Sequence, residues 1–413
     1  MATLHPFRAL RPRPDAAEAV ASVPYDVVSV EEARRLAEGN DKSFLHVIRP
    51  EIDLPEGTDE HADEVYEQGA ENLRRFAESD FMQTEDAPAL YVYRLVMNGR
   101  AQTGLFGCVA VGEYDDGTIL KHEETRPAKE DDRTRHILTQ RAHAEPVMLT
   151  HRGDAEVERL TEEATQTEPL YDFEAETELA GTVRHTIWRA PDAEALSDAF
   201  GAVPQLYVAD GHHRCKAASR AAAELRENEG TGTSEFAFFP AVLFPMDQMR
   251  ILPYNRVVYD LPDGPDAFLE KLGERVGVEE NTGQEAPETA GVVCCYLGGD
   301  DGGRWHRLAL PETERSGRAD QLDVARLSEF VFEPLLGITD PRRDANLDFV
   351  GGIRGTGELE ERVDKGQAEA AFSMYPTQIE DLLDVSDAGE LMPPKSTWFE
   401  PKLRSGLLAH RFG

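Results

Sequence analysis

The chain has 413 residues, 40% of them apolar, and a formal net charge of −36. That is length and apolar content enough for two or three packed domains. No apolar run is long enough for a membrane-spanning helix, and no charged-then-apolar leader is read at Met1. Cys108, Cys215, Cys294 and Cys295 include no Cys-x-x-Cys pair, which argues against a zinc cluster or a disulfide scaffold and for a reduced, cytoplasmic protein. The charge comes from 79 acidic residues against 43 basic ones, of which only 8 are Lys. Such a dispersed, Lys-poor acidic surface is expected of a halophilic protein, because at about 1 M salt the Debye length shrinks to about 3 Å. Global charge therefore says little about the substrate. The apolar content and recurring strand-like runs exclude an acidic disordered chain.

In chain order, Val23-Pro24-Tyr25-Asp26 precedes Ser29-x-x-Glu32, a capping box that starts a helix through Glu38. Phe44–Arg49 reads as a strand and Glu60–Ser79 as an amphipathic helix. Ala89–Met97 and Gln102–Tyr114 alternate around Asn98-Gly99, a hairpin signal. A helix over Asp131–Ala142 and a strand over Pro146–His151 follow. Residues 152–200 are acidic and mixed, with a strand at Val183–Arg189. Gln205–Ala209 reads as a short buried strand leading into Asp210-Gly211-His212-His213-Arg214 and an Ala-rich helix. Further strands are read at Ala237–Pro245, Ile251–Tyr259 and Gly291–Leu297, and a helix at Asp263–Val276. Gly298–Gly303 reads as a hairpin turn, Met374–Thr377 as a strand exit before a helix, and Leu391–Arg411 as an irregular tail. Strands interleaved with helices, plus hairpins, give a mixed α/β (α+β) class.

The most loaded segment is Asp210–Arg214. A strand, a glycine turn and a helix N-terminus aim backbone N–H groups and a partial positive charge at one point. Arg214 adds a two-pronged donor for phosphate or carboxylate. In Lys121-His122-Glu123-Glu124-Thr125, a carboxylate beside a His suits either a general base or a Mg²⁺ ligand. The tail Met392–Lys402 concentrates Lys, hydroxyls and aromatics between prolines, with Lys395 the candidate for a nucleotide. Tyr25, Asp26 and Glu124 are candidate substrate contacts. Adjacent His212 and His213 point side chains apart, and no other metal-ligand spacing accompanies them, so no metal residues are assigned. No basic stripe or helix-turn-helix marks a nucleic-acid partner.

Val23-Pro24-Tyr25-Asp26-Val27, His122-Glu123-Glu124-Thr125, Asp210–Arg214 and Met392-Pro393-Pro394-Lys395-Ser396-Thr397, in that order, resemble the prokaryotic family called domain of unknown function 1015. More distantly, the His-Glu-Glu segment, helix, strand and Asp-Gly-His-His-Arg turn are similar to the ParB/sulfiredoxin superfamily, including archaeal free-serine kinases. That resemblance implies a ParB/sulfiredoxin-like core over 86–260, with an elaboration near 150–204, an N-terminal α/β segment over 1–85 and a C-terminal α/β region over 261–413. It also implies ATP or ADP as phosphate donor, Mg²⁺, and a small hydroxylated acceptor such as L-serine. Glu123 would be the base, with His122 and His213 assisting; Asp210, Gly211, His212, Arg214 and Lys395 would bind phosphate. Two alternatives remain: a ParB-like nucleotide-binding regulator, and a metal-dependent phosphatase or hydrolase using His212 or His213.

Overall fold

The computed structural model describes residues 1–177, 181–230, 235–299 and 302–413, and its architecture is mixed α/β. The chain forms two compact units, Met1–Met249 with Pro401–Gly413, and Arg250–Glu400.

In chain order the strands of the first unit are β1 (Ala9–Pro12), β2 (Met82–Thr84), β3 (Tyr91–Met97), β4 (Arg100–Ala110), β5 (Ile119–Leu120), β6 (Ala142–His143), β7 (Val147–His151), β8 (Tyr171–Thr177), β9 (Gly181–Arg189), β10 (Leu206–Asp210), β11 (Phe238–Pro245) and β12 (Ala409–Arg411). Its longer helices are α1 (Val30–Ala37), α2 (Asp63–Ala77), α3 (Pro127–Gln140), α4 (Ala155–Thr165), α5 (Ala193–Phe200) and α6 (His212–Glu229). The order β5-β10-β7-β11-β4-β3-β9-β8 makes an eight-stranded sheet, and β2-β1-β12-β6 a smaller one.

Local chemistry explains many of these elements. Ser29 caps α1 through its hydroxyl, while Glu32 accepts the Ser29 N–H in return at 2.8 Å. Asn98 and Gly99 both take positive φ, 52° and 75°, the turn that matches the twist of a two-residue hairpin between β3 and β4. Cys215, Ala218 and Ala222 of α6 pack into the sheet core with Val92, Leu149, Val208 and Leu243. Ala217 and Ala221, on its other side, meet Ile137 of α3. Small side chains on both faces let α6 lie close between sheet and helix.

Three topological facts position the site. β5 and β10 run parallel, Leu206 opposite Ile119, so the segments that follow each strand emerge at the same end of the sheet. β7 runs antiparallel to β10, which brings Glu145 and Pro146, just before β7, to that end as well. The β10–β7 register shifts between Val208 and Asp210, as at a bulge, where the ladder ends.

Phe44–Arg49 is not a strand: Leu45–Ile48 forms a helical turn with Leu45, Val47 and Ile48 all buried. A short run buried at nearly every position has the same apolar pattern in either state. The expected second hairpin strand stops at Ala110, and Val111–Asp115 turns into a helix. Residues 152–200 supply α4, α5 and the β8–β9 hairpin, which extends the main sheet beyond β3.

The second unit is built on a six-stranded antiparallel sheet in the order Gly277–Glu279, Arg304–Ala309, Val292–Leu297, Ala370–Met374, Tyr254–Val258, Leu347–Gly351. Leu297 pairs with Arg304 across the expected Gly298–Gly303 turn, of which Asp300 and Asp301 lie outside the described residues. Ala370–Met374 does exit to a helix, Ile379–Asp387. Among the described residues no helix is long and apolar enough to cross a membrane.

Candidate active site

The site is built on the junction of β10 and α6. Gly211 is the N-cap of α6, with φ of 102° and no side chain to cap the helix. The position demands glycine twice over. Its φ is in the left-handed region, and a Cβ there would lie 3.1 Å from both Arg214 Nε and Val147 Cγ1.

Arg214 is 9% exposed and folds back over this turn. Nη1 donates to the Pro146 carbonyl, and Nη2 faces Asp210 at 3.7 Å and Asp26 at 3.9 Å. Nε has no hydrogen-bond partner among the described residues. Burial opposes the guanidinium's charge, but Asp26, Asp210 and Glu145 outweigh it and hold the pKa above the ordinary arginine value. Asp210 also accepts from Lys402 Nζ at 3.0 Å. Burial alone would raise its carboxyl; Lys402 and Arg214 reverse this and hold it well below the usual carboxylate range.

The two histidines of the turn grip the β5–α3 loop by its backbone. His212 Nε2 accepts from the His122 N–H at 3.5 Å, and His213 Nε2 from the Arg126 N–H at 3.1 Å. Both rings must be neutral to accept. Burial pushes His212 down to about 3 despite Asp210, and burial lowers His213 as well. The proton of His212 therefore sits on Nδ1, 3.9 Å from Glu123 Oε2. His122 is buried, packs edge-on to His212 at 4.5 Å and hydrogen-bonds to the Val208 backbone. Glu123 is partly open to solvent and Glu124 is exposed on the same loop.

Tyr25 and Asp26 close one side. Tyr25 is buried, its N–H donates to Glu145 Oε1 at 3.1 Å, and the Arg133 guanidinium lies 4.0 Å from its ring centroid. Glu145 faces Arg133 Nη1 at 3.8 Å. Burial raises the Glu145 carboxyl while Arg214 and Arg133 pull it down.

The structure thus gathers Glu123, His122, Asp210, Gly211, His212, His213, Arg214, Tyr25 and Asp26. Lys395 belongs to the other unit, where Nζ lies 5.3 Å from the Tyr254 ring centroid and its carbonyl accepts from Arg256. The lysine that pairs with Asp210 is instead Lys402, further along the same tail. Glu145 and Arg133 escaped the sequence reading. A lone carboxylate before a strand and an arginine within a helix have no local signature. Lys402 had one, as one of few lysines in a Lys-poor chain.

The first unit therefore places an uncapped, cation-rich helix N-terminus at one end of a mixed sheet. Residues 4–325 match the family described as protein of unknown function (DUF1015), and the chain belongs to that family. None of the curated proteins matches it. Among solved structures it is similar to a free serine kinase variant in complex with AMP, with 13% identity, 73% of this chain and 91% of that one covered, and a TM-score of 0.37. A conserved hypothetical protein from Pyrococcus furiosus gives 14%, 73%, 94% and 0.36, and a C-terminally truncated SbnI from Staphylococcus aureus 13%, 73%, 86% and 0.37. Likeness at this level assigns no chemistry to this chain.

Proposed function

We propose that the first unit binds a nucleotide through its phosphates and transfers a phosphoryl group to a small hydroxylated metabolite, with free L-serine the first acceptor to try. The observation that carries this reading is Arg214: a buried guanidinium whose Nη2 faces the turn, at a helix N-terminus that has no side-chain cap. Such a pair offers a phosphate both backbone N–H groups and a fixed cation. In the reaction the acceptor oxygen attacks phosphorus, the bond to the leaving nucleotide oxygen breaks, and the hydroxyl proton passes to Glu123. The neutral His212 Nδ1–H faces that carboxylate at 3.9 Å.

Asp26, Asp210 and Glu123 would repel a phosphate brought beside them, so a counter-cation is required. Among the described residues no three His, Cys, Asp or Glu side chains gather as a metal site. Mg²⁺ carried mainly on nucleotide phosphates needs only one or two carboxylates, and Asp26 and Glu123 are the partly exposed ones. Bound there it would neutralise developing charge on the transferred group. The metal-dependent hydrolase reading has less support, since both Nε2 atoms of His212 and His213 are engaged by backbone N–H groups.

The test is incubation at molar salt with ATP or ADP and a pool of amino acids and hydroxy-metabolites, followed by mass spectrometry. A phosphorylated product is expected from the native chain and not from Glu123→Gln or Arg214→Ala. Undiminished turnover in both variants would sink the assignment.

A further inference from the structure

Beside Arg214 lies a cavity of about 40 Å³. Ile137 and Phe239 contribute apolar walls, and Arg133, Arg214, His136, Gln140, His143 and Glu145 the polar ones. Three of these side chains carry a buried nitrogen with no partner among the described residues: Arg214 Nε, His136 Nδ1 and His143 Nε2. All three residues are at least nine-tenths buried. A buried polar group left unsatisfied is costly and uncommon, so three around one cavity point to an occupant.

The chemistry of the donors and acceptors selects it. Arg214 Nε–H can only donate. His136 Nε2 faces Asp132 at 3.9 Å, which places the ring proton there and leaves Nδ1 as an acceptor. Burial, with Arg133 close by, keeps this imidazole neutral. An anion would meet the Nδ1 lone pair and the Glu145 carboxylate; a cation would meet the Arg133 and Arg214 guanidiniums. A neutral molecule that both accepts and donates satisfies every group. One water requires about 10–15 Å³ of such volume and two to four polar partners, so the space suits two or three.

We infer that this cavity holds ordered water that bridges Arg214 Nε to His136 and His143, making those histidines positioning residues for the guanidinium. With Nη1 held by the Pro146 carbonyl and Nε by water, the guanidinium plane is fixed at two of its nitrogens and Nη2 is left facing the site. This rests on the reading of Arg214 as the phosphate ligand.

Two measurements on the full chain test it. A high-resolution crystal structure is expected to show water within about 2.7–3.2 Å of both Arg214 Nε and His136 Nδ1; a dry cavity overturns the inference. Calorimetry with ADP is expected to show roughly three- to tenfold weaker binding in His136→Leu. His136→Gln, whose side-chain carbonyl can accept from the same water, should recover most of the loss. In an Arg214→Ala background His136→Leu should have no further effect. Additive losses, or no loss in His136→Leu, overturn the positioning role while leaving the phosphate reading intact. A native chain that binds no ADP overturns that reading, and the positioning role with it.

Discussion

At the N-terminus of α4, the Asp154 side chain accepts from the N–H groups of Glu156 and Val157 at 3.0 and 3.1 Å, and Glu156 and Glu158 follow in the first turn. At the N-terminus of α6 the cap is Gly211, and the first turn holds His212, His213 and Arg214 with no acid. Of the described helices with eight or more residues, α6 alone begins this way. In a chain with 79 acidic residues, a carboxylate in the first turn is what composition alone supplies. Its absence is the informative event. Both helices face the same unsatisfied N–H groups and partial positive charge. α4 answers them from its own sequence, whereas α6 offers them no carboxylate and sets the Arg214 guanidinium beside them.

The largest expected effect breaks that contrast at its centre. Arg214→Ala should weaken ADP binding about ten- to a hundredfold, the worth of charged hydrogen bonds to phosphate. It should also cost about 3 kcal/mol of stability or more, because Asp26, Asp210 and Glu145 lose a buried counter-ion. Calorimetry and denaturant unfolding read the two separately. Full ADP affinity in the variant would make α6 an ordinary helix start. Next in size, Gly211→Ala forces a side chain into φ of 102° and against Arg214 and Val147. A loss of about 1–3 kcal/mol in unfolding free energy is expected, with weaker ADP binding as Arg214 is displaced. A stable, fully binding variant would mean that the turn is not held as described.

The sequence carried the turn itself because its signals are local. An apolar strand, one glycine and a run of helix formers specify β10 and α6 without tertiary help, as Asn98-Gly99 and Ser29-x-x-Glu32 specify their own turn and cap. What brings Glu123 to the turn is different in kind. β5 is two residues long, and its parallel pairing with β10 has no mark in spacing or periodicity; only the resemblance joined those segments in advance. Glu145 and Arg133 reach the site through the antiparallel pairing of β7 and the packing of α3, which no short motif encodes. Phe44–Arg49 failed for a complementary reason, since burial of all but His46 erases the periodicity that separates strand from helix.

The two helix starts also differ in their response to acid, because the clamps of α6 are imidazoles that must stay neutral, whereas the cap of α4 is a carboxylate. Burial holds His212 at about 3 in the folded chain, against an ordinary value of about 6.5. Between these values the unfolded chain binds a proton that the folded one refuses, so stability falls as pH drops from about 6.5 toward 3 and is flat above. The slope from this group approaches about 1.4 kcal/mol per pH unit. His185 at about 3 and His151 at about 4, both lowered by burial, add to it. His212→Gln should reduce the slope of unfolding free energy against pH in this window. An unchanged slope would show that His212 is not held neutral by burial.

The smallest effect is the control that the contrast needs. Asp154→Ala removes two hydrogen bonds at the start of α4 and should cost about 1 kcal/mol, seen as a lower Tm. Glu156 and Glu158 remain to offset the helix dipole, so the loss should stay near that value. ADP affinity should not change, because the cap serves only its own helix. A shift in affinity as large as that of Gly211→Ala would show that binding responds to general loosening of the first unit, and the special standing of α6 would then rest on Arg214 alone.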